Sequence, residues 1–165
     1  MSKESLHAKA LKKVMRRIPY PVTIVTAAFE NSRRGITIGS FTSLSLDPPL
    51  ISFNVGKESQ MHTLISQARH FAVHIPGADQ ADLCNHFALP DQTDSEQFYG
   101  IAADTHSLGI PLLKNVNAVL ICKSDSLVDT GDHSIVIGEI LEVQQMKKDP
   151  AILYLDGRYY ELEEK

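Results

Sequence analysis

The segment "GITIGSFTSLSLDPPL", residues 35–50, alternates hydroxyl and apolar side chains and then stops at a double proline. This alternation predicts a strand with one buried and one solvated face, ended by the prolines. The residues alone leave two other readings open. One is a nucleophilic serine, although the G-x-S-x-G elbow that would support it is missing. The other is the wall of a pocket for a polar ligand, since short hydroxyls let a ligand approach the backbone closely.

Strand-like runs flank this segment and fill the last third of the chain. Residues 22–29 are rich in β-branched side chains and residues 50–55 are apolar, as in buried strands. Two long runs meet around residues 129–132, and two shorter runs meet at Asp156-Gly157, so both junctions predict hairpins. Five to seven strands joined by short turns favour an antiparallel barrel.

Helical spacing of apolar side chains appears at two places between the strands. Residues 59–68 predict a helix with Ser59 as its N-cap, and residues 79–88 predict a helix capped by Asp79. Residues 89–114 are polar and rich in turn formers, so the sequence predicts a loop there.

The first 17 residues are basic and amphipathic and predict an N-terminal helix that packs on the domain with its Lys/Arg face in solvent. They contain no apolar core of the kind found in a secretory signal. We find no repeat and no internal linker, so residues 1–165 are expected to form a single domain.

Composition argues against several classes of partner. The formal net charge is −4, and the strands lack interleaved aromatic and basic residues, so we expect no nucleic-acid binding. No apolar run is long enough for a membrane span. Cys84 and Cys122 are the only cysteines and form no C-x-x-C motif, which favours a reducing, cytoplasmic setting. His70 and His74 are spaced along one strand without a third ligand, so no metal site is expected.

The opening segment, extended to "GITIGSFTSLSLDPPLISF", resembles the signature of the flavin reductase family, which has the FMN-binding split-barrel fold. Its members include the small reductase components of two-component flavin monooxygenases. The resemblance covers residues 10–160, in the order expected for the family. It is carried by "PVTIVTA", "VGKESQMHTLI", "FAVHIPGADQADLCNHFA", "GDHSIVIGEILEV" and "YLDGRYY".

The resemblance implies a mainly β fold: a split, antiparallel, Greek-key-like β-barrel with a few short flanking α-helices. It also implies a homodimer with the flavin near the subunit interface. The expected cofactor is FMN, with FAD as the alternative, and NADH or NADPH is the expected hydride donor. The implied function is a flavin reductase that supplies reduced flavin or electrons to a partner oxygenase. The alternative is an FMN-binding electron-transfer protein that does not use NAD(P)H.

Residues that match the family's flavin-binding positions fall into two groups. The first runs along the flavin ring and ribityl chain and offers main-chain and hydroxyl groups. Many relatives have Asn or Ala where this chain has Gly39, so any side-chain hydrogen bond from that position is lost. The second group is expected near the ribityl phosphate, although a core position explains its aromatic member, Phe87, equally well. The two groups are Thr37, Ile38, Gly39, Ser40, Phe41, Thr42, Leu44 and Ser45, and then Lys57, Ser59, Gln60, Met61 and Phe87.

Two further residues match positions at the nicotinamide site. His133 stands beside a predicted hairpin turn, where the resemblance implies that its imidazole lies over the exposed face of the flavin and positions the nicotinamide. The alternative is an ordinary surface histidine in a turn, the commonest place for a lone histidine. Tyr159 matches a position that lines the same site, whereas Tyr160 faces the opposite side of its strand.

Overall fold

Strands are the main element of the computed structural model, which describes residues 6–162. Within that range there are twelve strands: β1 (Tyr20–Pro21), β2 (Thr23–Phe29), β3 (Ser32–Ile38), β4 (Thr42–Leu46), β5 (Pro49–Gly56), β6 (His70–Ile75), β7 (Ala103–Thr105), β8 (Pro111–Leu113), β9 (Ala118–Asp129), β10 (His133–Gln145), β11 (Ile152–Leu155) and β12 (Arg158–Glu161). The helices are α1 (Leu6–Met15), α2 (Gln60–Ile65), α3 (Ala81–Ala88) and α4 (Asp94–Phe98), with a 3₁₀ turn at Ala78–Gln80. None of these helices has the length and apolar content to cross a bilayer.

The strands form three antiparallel sheets. The largest has seven strands in the order β3-β2-β6-β9-β10-β5-β4, and the others have the orders β1-β11-β12 and β7-β8. The predicted mainly β, antiparallel fold with a few short helices is therefore confirmed. The predicted hairpins are confirmed too, since residues 130–132 join β9 to β10 and Asp156-Gly157 join β11 to β12. The prediction of five to seven strands was too low, because it missed β1, β7 and β8, which have only two or three residues each.

The seven-stranded sheet curls so that its two ends approach each other. β3 is the first strand in the sheet order and β5 is the sixth. Directly after β3, the Ser40 hydroxyl accepts the Asn54 N–H of β5 at 2.9 Å. This bond brings the two ends of the sheet together, and they form one seam.

The inner strands bury side chains on both faces. Along β2, Ile24 packs into a cluster with α3 and the β7–β8 hairpin, while the next residue, Val25, packs into a cluster with α2. Phe71 and Ala72 of β6 divide in the same way. Two-sided burial explains why these strands are continuously apolar in sequence instead of alternating.

Residues 89–114 are not the predicted loop, because this region holds α4, β7 and β8. A reciprocal bond pair between Thr93 and Glu96 caps α4 at its N-terminus. From the same helix, the buried Gln97 amide accepts the Gly35 N–H and donates to the Gly35 carbonyl, both at 2.9 Å. The Gln97 side chain thereby satisfies the backbone N–H and carbonyl of Gly35 at the outer edge of β3, as a neighbouring strand would.

The described part of the N-terminal helix is less buried than the expected packing on the domain implies. No residue of α1 is buried, and residues 1–5 of the predicted segment lie outside the described range. The end of the helix is tethered where the Asp156 N–H donates to the Arg16 carbonyl at 3.0 Å. From this exposed position, Leu11 and Met15 line a groove together with Tyr20 and Tyr154.

The predicted caps had different outcomes. Ser59 caps α2 as expected, because its hydroxyl accepts the His62 N–H at 3.1 Å. Asp79 does not cap the next helix. A 3₁₀ turn intervenes, and Gln80 precedes α3 without a side-chain cap bond.

Candidate functional site

A groove of about 770 Å³ lies along the seam of the seven-stranded sheet. One wall is the end of β3 and the residues after it, 36–40. The opposite wall is the end of β5, residues 54–56, with Thr130, His133 and Ile135 of the β9–β10 hairpin. The groove therefore exists because the two ends of the sheet meet here.

Two hydroxyl residues of the first wall, Thr37 and Ser40, bind their own chain. The Thr37 hydroxyl donates to the Cys84 carbonyl at 2.7 Å, which leaves its lone pairs for a ligand. The Ser40 hydroxyl accepts the Asn54 N–H, so its own proton remains available. Gly39 is exposed between them, and a Cβ there would come within 3.4 Å of the Tyr20 Cβ. This wall offers a ligand alternating donors and acceptors.

The remaining predicted residues of the 37–45 segment do not line this groove. Phe41 is half-buried against the core cluster that includes α2. Thr42 and Leu44 are exposed on β4, and Ser45 is half-buried there. The predicted segment thus divides after Ser40, where the chain turns away into β4.

His133 faces the groove from a braced turn. The Thr130 hydroxyl and N–H both donate to the His133 carbonyl, at 2.7 and 3.1 Å. The Lys57 N–H donates to the Asp132 carbonyl at 3.0 Å. These bonds fix the backbone under the imidazole.

The orientation of the imidazole follows from its neighbours. Nδ1 of His133 lies 2.8 Å from the Asp132 carboxylate, and that hydrogen bond lowers the pKa of Asp132. Because a carboxylate only accepts, Nδ1 carries the proton. Nε2 lies over Gly56, where a Cβ would be 3.7 Å away. In the neutral ring, Nε2 is therefore an acceptor at the floor of the groove.

Lys57 is held against the same hairpin. Its ammonium donates to the Thr130 carbonyl at 2.8 Å and lies 3.3 Å from Asp129. The Asp129 carboxylate also accepts the Ser134 hydroxyl at 3.1 Å, and the Ser134 and Lys57 contacts hold the pKa of Asp129 low. Lys57 thus braces the turn that carries His133.

A second cavity of about 270 Å³ lies past β3 from the groove, and Ile36 lines both. This cavity brings together Ser59, Gln60, Met61 and Phe87 of the predicted second group. The Phe87 ring lies against Gly35, where a Cβ would be 2.5 Å from two ring carbons. The cavity therefore depends on glycine at position 35. Its polar lining includes Gln92, whose Oε1 is buried without a hydrogen-bond partner.

Of the two cross-strand tyrosines of the β11–β12 hairpin, Tyr154 lines the groove and Tyr159 does not. Tyr159 is half-buried against the core cluster that includes α3, and burial raises its pKa to about 12. Tyr154 and Tyr159 are cross-strand partners with ring centroids 5.2 Å apart, so Tyr159 supports Tyr154 edge-on. Tyr160 is exposed.

Sequence reasoning missed a third side of the groove, formed by Tyr154, Tyr20, Leu11 and Met15. The apolar spacing of the first helix was visible in the sequence. The pairing of Tyr20 with Tyr154 across β1 and β11 was not, because it joins the two ends of the chain.

The histidines outside the groove do not form a metal site. His74 is buried, with Nδ1 donating to the Ile24 carbonyl and Nε2 accepting the Leu113 N–H, both at 3.0 Å. Burial lowers the pKa of His74 to about 4. Within residues 6–162, no group of three metal-ligating side chains comes together.

Comparison with known proteins places this geometry in a family. The model of the flavin reductase like domain matches residues 15–163. The FMN reductase (NADH) SmoA of Agrobacterium fabrum is 35% identical over 129 residues, which are 78% of this chain and 72% of SmoA. The reductase component of the 4-nitrophenol 4-monooxygenase/4-nitrocatechol 2-monooxygenase of Rhodococcus opacus is 35% identical over 138 residues, 84% of this chain and 72% of that protein.

Solved structures agree with the sequence comparisons. The Streptomyces globisporus NADH:FAD oxidoreductase SgcE6, solved with NAD and FAD fragments, superposes with a TM-score of 0.87 at 31% identity. The match covers 99% of this chain and 98% of SgcE6. The chain belongs to the flavin reductase like domain family.

Proposed function

We propose that the seam groove of this flavin reductase family member holds the reacting ends of a flavin and a nicotinamide nucleotide, between residues 36–40 and His133. The chain is an NAD(P)H-dependent flavin oxidoreductase that supplies reduced flavin to a partner oxygenase. The single observation that carries the site is that one groove joins the hydroxyl-bearing wall to the imidazole. Residues 1–165 act as one domain.

The side chains around the groove fit an isoalloxazine ring. The ring needs donors and acceptors along one edge and apolar contact along the other. Ser40 and the exposed backbone at Gly39 meet the first need, and Leu11 and Met15 meet the second. When bound, the flavin accepts hydride from the dihydronicotinamide. The protein's part is to hold the two rings in contact and to exclude water between them.

His133 is the proposed nicotinamide-positioning residue. Because Asp132 fixes the proton on Nδ1, Nε2 can accept an N–H from the carboxamide. Tyr154 closes the same groove, and Tyr159 acts through Tyr154 by packing against it. The proposed role of Tyr159 is therefore indirect support of the nicotinamide site.

The second cavity is the proposed place for the ribityl-phosphate end of the flavin. Gln60, Met61 and Phe87 line it, and the Ser59 hydroxyl caps α2 at its edge. Lys57 lies 3.3 Å from Asp129. We propose that its ammonium group exchanges Asp129 for the flavin phosphate when the flavin binds.

We also propose a homodimer. Large apolar side chains are exposed on β4 and β10, which monomers rarely leave uncovered in one area. A second copy packed there would also cover Thr42, Ser45 and the half-buried Phe41, the predicted flavin residues that lie outside the groove. The exposed apolar residues are Leu44, Leu46, Leu141 and Val143. Sedimentation equilibrium should give twice the chain mass, and a monomer at all concentrations would contradict this proposal.

We propose that the protein is located in the cytoplasm. Cys84 and Cys122 are both buried free thiols, as in proteins from a reducing compartment.

Anaerobic reduction tests the function directly. Protein with FMN is mixed with NADH or NADPH, and the visible flavin absorbance is followed against free FMN. Bleaching faster than in the protein-free control is expected. A protein that binds FMN but is not bleached by either nucleotide would instead be an electron-transfer protein.

The His133→Ala variant tests the positioning role. KM for the nicotinamide nucleotide should rise roughly tenfold, the value of one lost hydrogen bond to a positioned group. KM for FMN should change less, and His133→Gln should recover part of the loss because the amide can also accept. Equal kinetics of His133→Ala and the parent protein would remove His133 from the site.

A further inference from the structure

The positive charge of this acidic chain is concentrated on its first described helix. The chain has 16 Lys and Arg residues and a net charge of −4, yet five of the 16 fall within residues 9–17. They lie on α1 and in the turn directly after it. These five, called the α1 cations below, are Lys9, Lys12, Lys13, Arg16 and Arg17.

The α1 cations line a groove of their own of about 520 Å³, with Asp156 as its only carboxylate among the described residues. Five positive groups against one negative group make this groove attractive to anions. The rest of the chain is net negative, so the attraction is local to this face.

The cation groove is connected to the seam groove by lining residues that neighbouring cavities share. A smaller recess of about 220 Å³ lies between them. Met15, Tyr20 and Tyr154 line both the recess and the seam groove. Lys12 and Arg16 line both the recess and the cation groove. A path therefore runs from the imidazole of His133, past two tyrosines, to the cations.

The structure fixes the position of this path. The Asp156 N–H holds the Arg16 carbonyl at 3.0 Å, which attaches the end of α1 to the β11–β12 turn. Tyr20 pairs with Tyr154 on the next strand. The positive charge of Lys12 also acts on Asp132, the carboxylate beside His133. The α1 cations are thus held in a fixed position relative to the seam groove.

We propose that the α1 cations bind the phosphate groups of the nicotinamide nucleotide while its ring lies at His133. This proposal rests on the proposed function of the seam groove. A reduced nicotinamide dinucleotide carries an uncharged dihydronicotinamide carboxamide at one end and its anionic phosphate groups further along, which is the order of groups along this path. NADPH carries an additional phosphate, so the cations should favour NADPH over NADH.

Flavin phosphate is the weaker candidate for this surface. The residues expected at that phosphate, Ser59 and Gln60, line the cavity on the other side of β3. An acidic partner protein or a nucleic acid would also meet the charge, but neither accounts for the connection to His133.

The test is a charge reversal on α1 with a matched control elsewhere. Arg16→Glu changes the cation groove, and Lys13→Glu repeats the change at a second site in case the first variant folds poorly. Lys148→Glu makes the same charge change at an exposed position that lines none of these grooves. Steady-state KM for NADH, NADPH and FMN and kcat are measured at low and high salt.

We expect Arg16→Glu to raise KM for NADPH roughly tenfold and KM for NADH roughly threefold, because partly exposed charge contacts to phosphate are of modest strength. The values of kcat and of KM for FMN should stay within about twofold, and high salt should shrink the difference. Lys148→Glu should match the parent protein.

Other outcomes overturn the inference. A rise in the nucleotide KM of equal size in Arg16→Glu and Lys148→Glu would show that only overall charge matters. A rise in KM for FMN alone would assign the cations to the flavin phosphate. Reductase kinetics of Arg16→Glu equal to those of the parent protein would show that the α1 cations do not bind the nucleotide, and would favour a macromolecular partner. Bleaching of FMN at saturating nucleotide would persist in each of these cases, so they are distinct from a failure of the proposed reductase function.

Discussion

His74 should make the stability of this protein depend on pH between neutrality and pH 4. The ring is buried, donates from Nδ1 to the Ile24 carbonyl and accepts the Leu113 N–H at Nε2. A second proton would have to be placed on Nε2, where it would face the Leu113 N–H. Protonation therefore breaks the bond that ties β8 to β6, and it leaves a charge in the core.

The size of the effect follows from the pKa. Burial lowers the pKa of His74 from 6.5 to about 4. The unfolded chain binds this proton below pH 6.5, whereas the folded chain binds it only near pH 4. The stabilisation is thus fully present above pH 6.5 and is lost as the pH falls toward 4. The pKa difference corresponds to about 3 kcal/mol of unfolding free energy.

Urea unfolding at pH 7.5 and near pH 4 measures this quantity when the parent protein is compared with His74→Gln. Glutamine keeps one donor and one acceptor but does not titrate. The stability gap between parent and variant should shrink by about 3 kcal/mol on going from pH 7.5 to 4. His7→Gln, at an exposed position on α1, should show no such change. A gap of equal size at both pH values would refute the reasoning, because His74 would then not be the titrating group.

Two other predictions concern close packing. Gly35→Ala should lower stability by about 1–3 kcal/mol, since its Cβ would lie 2.5 Å from Phe87 ring carbons. Gly131→Ala, with no atom within 4 Å of the new Cβ, should leave the urea midpoint unchanged, and equal midpoints for both variants would contradict the clash. Burial raises the pKa values of Cys84 and Cys122 to about 12, so a thiol reagent should label them only after unfolding. Labelling of the native protein at the rate of a free thiol would show that these sites open.

Sequence reasoning succeeded where structure is determined locally. The hairpin at Asp156-Gly157 follows from turn chemistry, since Asp156 and Gly157 both adopt positive φ. The Ser59 cap follows from a single hydroxyl before an apolar helical pattern. The family resemblance added the association of the 37–40 wall with His133, which no local pattern provides.

Sequence reasoning failed where the structure depends on contacts between residues that are distant in the chain. Helix α4 was read as loop because its five residues form no long periodic pattern. Its position depends on Gln97 reaching Gly35, 62 residues earlier. Likewise, Tyr154 enters the groove because β11 pairs with β1, and the choice between Tyr154 and Tyr159 requires that register.

The two walls of the groove should respond differently to mutation, because they are built differently. The Thr37 hydroxyl bonds to Cys84 of α3, and the Ser40 hydroxyl bonds to Asn54 of β5, so both hydroxyls of this wall also hold the fold together. Loss of either would change binding and stability together. His133 bonds through its side chain to the exposed Asp132 and is itself 51% exposed. Replacing it should therefore change nucleotide binding while the unfolding free energy stays nearly constant. We therefore expect that the proposed nicotinamide side of this site can be altered separately from the fold, whereas the proposed flavin side cannot.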